Sequence, residues 1–405
     1  MQAWWSDFWA QHAQVITSII VIIAIIHVIL VAAMYLILLE RKICAWVQDR
    51  CGPNRVGPMG LLQPIADGLK LFVKEDFTPR GADRALFLIA PGLTVIPALI
   101  GFAVIPWAGL LNIGGQSVKI VGADVNVGII YLVAVASLGV YGVALGGWAS
   151  NSKYSFLGGL RAGAQMVSYE IPLGLALLAI ILTAGSLMPY EIISRQLEGQ
   201  WFIVHQPLAA ILFYTCMLAE ANRAPFDLAE AESELVGGWH TEYSSMSWAL
   251  FFLGEYGHIF AGSAFFTMLF LGGWSINPFT GSDLPAAGGI GMILLQAGVV
   301  FGKVFVMICL TMVVRWTLPR FRYDQLMRLA WEGMIPAGLL LVTVTSLFVY
   351  MGWTSWMILG SLAALVIIWI AHPMLPRQPN PNHKLPLIGS RFSPMRETES
   401  AGRGA

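Results

Sequence analysis

Nine long apolar segments constrain this chain more than any other feature of its sequence. Each has about the 17–25 residues that a helix needs to cross a bilayer. Only 11% of the 405 residues are charged and 57% are hydrophobic, whereas soluble domains carry roughly 25% charged residues. The sequence therefore predicts an all-α polytopic membrane protein with about nine transmembrane helices. We place these helices near residues 15–39, 86–107, 125–147, 171–187, 201–219, 246–271, 289–313, 335–351 and 355–371.

Charge and cysteine content argue against several kinds of site. The formal net charge is zero and the chain has no long basic tract, so we expect no nucleic-acid partner. The four cysteines are Cys44, Cys51, Cys216 and Cys309. They form no CxxC pair, and their spacing suits neither an iron–sulfur cluster nor a zinc site. We therefore expect no metal and no covalently bound cofactor.

The distribution of Lys and Arg predicts the orientation in the membrane. If the N-terminus lies outside, twenty basic residues fall on the inner side and two on the outer side, and basic residues favour the cytoplasm. The inner segments are then 40–85, 148–170, 220–245, 314–334 and 372–405. We expect one transmembrane domain over residues 1–371, with cytoplasmic loops at 40–85 and 220–245. The proline-rich, basic tail 372–405 is expected to be cytoplasmic and disordered.

An acidic stretch at 219–243 lies between two of the apolar segments. It holds six carboxylates and a single base, Arg223, in 25 residues. The carboxylates are those of Glu220, Asp227, Glu230, Glu232, Glu234 and Glu242. Asp227, Glu230 and Glu234 share one face if they are helical, and like charges at that spacing retain protons near neutral pH. The stretch is therefore either a solvated loop of surface acids or a series of sites for proton transfer.

The loop at 40–85 combines ordered turns with an amphipathic pattern. Gly-Pro pairs at 52–53 and 57–58 mark the turns. From Leu61 to Val73 apolar side chains recur at helical spacing, with Asp67 and Lys70 between them. This pattern predicts an amphipathic helix in the plane of the membrane interface. Such a helix is either a simple surface anchor or a wall where a lipid-soluble substrate leaves the bilayer.

Isolated ionisable side chains within apolar segments are further candidates for function. Glu170 stands at the predicted start of the helix at 171–187, where the helix dipole offers a static reason for an acid. Glu255 and Lys303 lie several residues from the predicted helix ends, so their charged groups cannot easily reach the interface. His258 follows Glu255 by three residues. We regard Lys303 and Arg223 as candidates for buried ion pairs.

Four motifs, in this order, resemble one family. They are ERKICAWVQDRCGPNRVGPMGLLQPIADGLKLFVKE at 40–75, GWASNSKYSFLGGLRAGAQMVSYE at 147–170, the acidic stretch at 219–243, and PRFRYDQLM at 319–327. Together they resemble the membrane subunit of proton-translocating NADH:quinone oxidoreductase, respiratory complex I. This is subunit 1 of the mitochondrial complex and the H subunit of the bacterial complex. The resemblance covers roughly residues 30–335.

The resemblance implies a subunit at the junction of the membrane arm and the peripheral arm, in an energy-transducing membrane such as the bacterial inner membrane. It implies a quinone entrance and chamber whose walls include Glu40, Arg41, Arg50, Ala66, Asp67, Lys70, Phe252 and Arg315. It also implies coupling of quinone reduction to proton translocation along a carboxylate path. The path would comprise Glu170, Glu220, Asp227, Glu230, Glu232, Glu234, Glu242 and Glu255, with Arg223 holding one of these acids ionised.

The same resemblance places NADH, FMN and iron–sulfur clusters in partner subunits, with quinone as the substrate. The chain would have no catalytic residue of its own, and we expect no activity from it in isolation. Its partners would be the peripheral-arm quinone-site and terminal-cluster subunits, adjacent small membrane subunits, antiporter-like subunits and membrane lipid.

Two alternatives stay open at the level of sequence. One is a related subunit of a membrane-bound hydrogenase or of a ferredoxin-dependent dehydrogenase, which neighbouring genes would distinguish. The other is a stand-alone proton-coupled transporter, whose usual inverted repeats are not evident in this sequence. A passive membrane anchor is disfavoured by the free-energy cost of acids inside a membrane.

Overall fold

The structure is a computed structural model that describes residues 2–113, 116–228, 235–279 and 284–371. The described residues up to 364 form one compact unit, and residues 365–371 belong to a second. Most residues of the apolar segments are helical, and several of the connections between these segments also contain helices. Their bounds are α1 Gln2–Val47, α2 Gln63–Val73, α3 Arg84–Gly101, α4 Gly128–Ala149, α5 Lys153–Ala184, α6 Pro189–Glu198, α7 Phe202–His205, α8 Pro207–Glu220, α9 Ser245–Phe270, α10 Ile290–Thr317, α11 Tyr323–Arg328, α12 Ile335–Tyr350 and α13 Met357–Ala371.

Each of the nine apolar segments overlaps a helix of the structure. Within the described residues, six helical stretches are long and apolar enough to cross a membrane, so the chain is an integral membrane protein. These stretches are His12–Val47, Arg84–Val104, Gly128–Ala149, Lys153–Ala184, Ile290–Thr317 and Tyr323–Tyr350. Pro207–Glu220 and Met357–Ile368 are apolar but shorter. That nine helices cross the membrane stays a prediction.

The helix α5 begins well before the predicted segment. Lys153, Arg161 and Glu170 lower the hydropathy of residues 148–170, which the sequence places in a loop, yet the helix is continuous from Lys153. Small residues allow it to pack closely against α4, because a Cβ on Gly147 would lie 3.1 Å from the Cα of Gly159. Glu170 therefore lies in the middle of α5. The helix dipole, proposed from the sequence as a static reason for this acid, is the wrong explanation.

A helix forms at the amphipathic segment of the first loop. It is α2, and Pro64 occupies its first turn, where proline has no hydrogen bond to lose. Leu69, Phe72 and Val73 are exposed, with Val73 at 86%. Apolar side chains so accessible are consistent with a membrane surface. The placement of α2 in the membrane interface stays a prediction.

A small sheet joins two connections on one end of the helices, which the all-α prediction does not include. Its strands are β1 Leu110–Ile113, β2 Gln116–Lys119 and β3 Ala287–Gly288, in the order β2-β1-β3. β1 pairs antiparallel with β2 and parallel with β3. The Gln296 side chain joins α10 to this sheet region, since it accepts a hydrogen bond from the Gly109 amide at 2.8 Å.

Aromatic packing holds the end of the acidic stretch against the helices. The rings of Phe87 in α3 and Tyr243 are stacked, with centroids 4.0 Å apart. The Tyr243 hydroxyl donates to the carbonyl of Phe87 at 3.2 Å. Trp239 and Phe251 complete this buried cluster, with ring centroids 4.4 Å apart. The polypeptide that follows the acidic stretch is thereby fixed beside the start of α9.

Candidate functional site

A cluster of buried charges lies where α1, α9 and the loop after α8 meet. Arg223 in the loop has Nη1 3.7 Å from Oε2 of Glu40 in α1. Its Nη2 lies 3.1 Å from Oε2 of Glu255 in α9. The three residues are between 3% and 8% exposed. Isolated charges would be very costly at this depth, so each carboxylate stabilises the guanidinium and is stabilised by it.

Glu40 has two further partners. Arg315, at the end of α10, donates to Oε1 of Glu40, and the Tyr256 hydroxyl donates to Oε2 at 2.6 Å. The guanidinium of Arg223 also lies over the Tyr256 ring, 4.5 Å from its centroid, an arrangement that favours a cation. The cluster thus joins three helices and a loop through one carboxylate.

The loop that carries Arg223 is held by a buried amide. Gln165 in α5 has no exposed surface, and its Nε2 lies 2.9 Å from the carbonyl oxygen of Ala219 and 2.7 Å from that of Phe226. The same nitrogen lies 3.2 Å from Oδ1 of Asn222. All three neighbours are hydrogen-bond acceptors, which fits an amide NH₂ at this position. Gln165 therefore fixes the backbone on both sides of Arg223.

Asp227 lies in the same loop and pairs with a different base. Its Oδ2 accepts from Nη2 of Arg320 at 2.9 Å. Asp227 is only 5% exposed, and burial raises the pKa of its carboxyl group to about 6, although the Arg320 charge acts in the opposite direction. The negative charge of Glu255 also raises this pKa. Asp227 is thus electrostatically linked to the buried cluster.

A cavity of about 720 Å³ opens between the first loop and helices α9 and α10; we call it the loop cavity. Its volume is in the range of small-molecule sites. Seven of the eight residues predicted for the quinone chamber line it, and Ala66 is not among its lining residues. The seven are Glu40, Arg41, Arg50, Asp67, Lys70, Phe252 and Arg315. The remaining wall is mainly apolar and includes Met34, Leu71 and Trp248.

The α2 side of the loop cavity carries its own charged group. Asp67 accepts from Arg41 at 2.8 Å and from the Gln63 amide at 3.1 Å. Lys70, one turn further along α2, has its ammonium 3.8 Å from Oδ1 of Asp67, the oxygen that also accepts from Gln63. These partners fix the Asp67 carboxylate at the rim, while Glu40 occupies the inner wall.

A second cavity, of about 60 Å³, lies among α3, α4, α5, α8 and α9; we call it the carboxylate cavity. Glu170 and Glu220 both line it, together with Ser137 and His258. The Ser137 hydroxyl bonds the Glu170 carboxylate and lies 2.9 Å from the carbonyl oxygen of Val133. A hydroxyl has one proton, so it can donate to ionised Glu170, or donate to Val133 and accept from protonated Glu170. Both protonation states of Glu170 can therefore be hydrogen-bonded.

The structure does not bring together every residue that the sequence singles out. Glu230, Glu232 and Glu234 lie outside the described residues. Glu242 is half-buried beside Tyr243 and is not among the lining residues of either cavity. The Lys303 ammonium donates to the carbonyl oxygens of Leu271, Gly273 and Ser275 rather than to any carboxylate of the described chain.

Four residues that contact these groups were not predicted from the sequence: Ser137, Gln165, Tyr256 and Trp248. Ser137 and Gln165 are polar residues within apolar or small-residue stretches, which is a weak signal for a buried role. Tyr256 directly follows Glu255, and this adjacency is the only signal in the sequence for a role of Tyr256 in the site. Trp248 is indistinguishable in sequence from an interfacial tryptophan.

The fold and the site define an integral membrane protein in which paired charges are buried between two cavities. A family model described as NADH dehydrogenase matches residues 19–346. The H subunit of NADH-quinone oxidoreductase from Rhodospirillum rubrum is 49% identical over 350 residues, which cover 85% of this chain and 97% of that relative. An H subunit of the same enzyme from Cytophaga hutchinsonii is 46% identical over 329 residues, covering 80% and 94%.

An H subunit of NADH-quinone oxidoreductase from Geobacter metallireducens is also similar, with 49% identity over 322 residues, 79% of this chain and 93% of the relative. The chain belongs to the family of NADH-quinone oxidoreductase H subunits and is a subunit of that oxidoreductase complex. The resemblance inferred from the motifs is thereby confirmed. Family membership favours the quinone enzyme over a hydrogenase-type relative and over a stand-alone transporter.

Proposed function

We propose that the loop cavity is the quinone chamber and that quinone enters it from the membrane beside α2. Apolar walls suit an isoprenoid tail, and a few polar groups can orient a headgroup. The exposed apolar face of α2 would lie against lipid at the entrance. The electrons would come from iron–sulfur clusters in partner subunits, and the NADH and FMN sites would also lie there.

The ion pairs of the buried cluster would change when the charge in the chamber changes. Reduction of a quinone to a quinol consumes two electrons and two protons, so negative charge develops in the chamber until the protons arrive. Glu40 lines the chamber and shares Arg223 with Glu255. Protonation of Glu40 would weaken its pairing with Arg223 and leave the guanidinium to Glu255. A change at quinone would thereby alter the charge balance on the far side of α9.

Protons would move along the carboxylates beyond this cluster. Glu220, the last residue of α8, directly precedes the loop that carries Arg223 and lines the carboxylate cavity together with Glu170 of α5. Asp227, Glu230, Glu232, Glu234 and Glu242 are the further members that we propose for this path. The antiporter-like subunits would receive the proton motion, and the acidic stretch would face the cytoplasm.

One observation carries the proposal. Helix α9 places Tyr256 in the wall of the loop cavity and His258 in the wall of the carboxylate cavity. Glu255, adjacent in sequence, pairs with the buried Arg223. A single helix therefore has a substrate-sized cavity on one side, an acidic cavity on another, and an ion pair beside both.

Neutral variants of the path acids test this function. In the assembled complex, Glu255→Gln and Glu220→Gln are expected to reduce proton translocation per quinone reduced, because an amide cannot exchange the proton that a carboxyl group carries. Asp67→Asn is expected to raise the KM for quinone. The measurements are proton uptake and NADH:quinone activity in membrane vesicles.

Glu198→Gln is the matched control, because Glu198 is 72% exposed and pairs with the exposed Arg195 at a distance of 4.0 Å. It should leave pumping unchanged. Full pumping in both path variants, with normal assembly, would remove these carboxylates from the proton path. An unchanged KM for quinone in Asp67→Asn would remove Asp67 from the chamber.

A further inference from the structure

We propose that His258 is a proton carrier in the carboxylate cavity, exchanging protons between Glu220 and Glu170 through water. This inference deepens the proposed function and rests on it. Neither the family motifs nor the carboxylate path includes this histidine. Three observations support it: the imidazole lines the cavity, one ring nitrogen is hydrogen-bonded to backbone, and the other has no hydrogen-bond partner among the described residues.

The cavity brings three titratable groups to one small space. Among its lining residues in the described chain, these are Glu170 from α5, Glu220 from α8 and His258 from α9. The walls contributed by α3 are uncharged, and α4 contributes the Ser137 hydroxyl. A buried water needs roughly 10–15 Å³ of such volume, so about 60 Å³ accommodates about four waters. Water can therefore connect the imidazole to both carboxyl groups.

The two nitrogens of the His258 ring have different surroundings. The imidazole is hydrogen-bonded to the backbone of Thr94 in α3, while Nε2 is buried with no hydrogen-bond partner among the described residues. The bond to Thr94 is therefore made through Nδ1. A ring nitrogen that bonds a helix carbonyl carries the proton, so the neutral ring presents a lone pair at Nε2.

Glycine at position 139 leaves space beside this open nitrogen. A Cβ added to Gly139 in α4 would lie 3.0 Å from Nε2 and 3.1 Å from Cε1 of His258, and it would meet no other side chain within 4 Å. A buried polar atom without a partner lowers stability. A role in packing alone would be served as well by an apolar side chain, so the unpaired nitrogen points to a function.

The exchange balances with the groups present. A proton leaves the carboxyl group of Glu220 and reaches Nε2 through water, so one O–H bond breaks and one N–H bond forms. The imidazolium, with protons on both nitrogens, shares the cavity with two carboxyl groups, and a negative charge on either would favour it. The Nε2 proton then passes through water to the Glu170 carboxylate, and the ring returns to its neutral form with Nδ1 still bonded to Thr94.

Two variants test the relay in the assembled complex. His258→Gln keeps a polar side chain but removes the imidazole, the ring that can both accept and donate a proton. Gly139→Ala keeps the imidazole and fills the space beside Nε2. Gly174→Ala is the control for an added methyl in a helix, because a Cβ there meets no atom within 4 Å. The readouts are proton uptake per quinone reduced and the pH profile of NADH:quinone activity in membrane vesicles.

We expect His258→Gln to slow proton uptake about tenfold or more, since positioned acid–base groups commonly contribute at least that much. The pH profile of activity should also differ from that of the wild type, because the variant lacks an imidazole that exchanges protons. Gly139→Ala should reduce uptake in the same direction, and Gly174→Ala should match the wild type. If His258→Gln fails to assemble, Gly139→Ala decides the question, because its imidazole is intact.

Wild-type uptake and pH profile in His258→Gln, or in Gly139→Ala when His258→Gln does not assemble, would overturn the relay. Glu220→Gln, measured beside these variants, separates this failure from a failure of the proposed function. If Glu220→Gln loses pumping while the His258 variant keeps it, the carboxylate path stands without His258. If Glu220→Gln also keeps full pumping, the proposed function itself is wrong.

Discussion

Glu40 is the residue on which the site depends most. Its carboxylate accepts from Arg315 and Tyr256 and pairs with Arg223. In a buried cluster, removing one charge leaves another without compensation, which typically costs about 3–5 kcal/mol. Glu40 is therefore a shared acceptor, whose protonation state affects three partners at once.

Asp227 supplies a pH-dependent prediction. Its pKa of about 6 lies above its ordinary value of 3.8, so between these pH values the folded chain holds a proton that the unfolded chain has lost. The stability contributed by this group is therefore present below about pH 4 and is lost as the pH rises to about 6. Asp227→Asn should abolish this loss.

Infrared difference spectroscopy of the complex measures the same group. We expect a protonated carboxyl band at about pH 5 that disappears by about pH 7 and is missing in Asp227→Asn. Arg320→Gln should move the titration to higher pH, because it removes a neighbouring positive charge. Asp324→Asn is the control, since Asp324 is an exposed acid paired with Arg322. An identical band in Asp227→Asn would assign the titration to another group.

A side chain from the next helix holds the end of α9. The Lys303 ammonium, carried by α10, donates to the carbonyls of Leu271 and Gly273 at 2.5 Å and 2.8 Å, and also to that of Ser275. It also lies 4.0 Å from the centroid of the Trp201 ring. Leu271 is the C-cap residue of α9, and Gly273 and Ser275 belong to the turn that follows, so their carbonyls have no partner within the helix. Lys303 therefore caps the end of α9 from α10 and also holds the turn that follows it.

Lys303→Met tests this cap. The methionine side chain is of similar length but donates no hydrogen bond, so the carbonyls lose a donor at a cost of about 1–3 kcal/mol for each that stays unpaired. We expect a lower thermal unfolding temperature for the complex in detergent. Lys153→Met, an exposed position in the first turn of α5, is the control. Equal unfolding temperatures for the two variants would contradict the capping role.

For the whole molecule, the orientation in the membrane determines which side the first loop and the loop cavity face. The excess of basic residues predicts that the loop at 40–85 is cytoplasmic, and this loop carries an exposed cysteine, Cys51. Cys44 and Cys216 are buried, so they should react slowly. A membrane-impermeant maleimide should therefore label Cys51 in inverted vesicles stripped of the peripheral subunits, and not in right-side-out vesicles.

The control for this labelling is Cys51→Ser, which should remove the label from inverted vesicles. Labelling of Cys51 from the periplasmic side would reverse the predicted orientation. It would also place the opening of the loop cavity on the periplasmic side.

The sequence alone determined the membrane class, the positions of the nine apolar segments and the family. Hydropathy and helix formation depend on residues close together in the chain, and the motifs at 40–75 and 219–243 are contiguous. The local pattern placed Glu170 at the start of a helix, and this was wrong. Whether a polar stretch continues a helix depends on tertiary packing, here the close approach of Gly147 and Gly159.

Only the tertiary structure decided which charges pair and which residues share a cavity. Glu40 meets Tyr256 and Arg315 across 216 and 275 residues of sequence, and no local pattern encodes such a contact. The same packing put Ser137 and His258 beside Glu170 and Glu220. A buried charge is tolerated only where a partner from another helix reaches it, so the site exists only once the helices have packed.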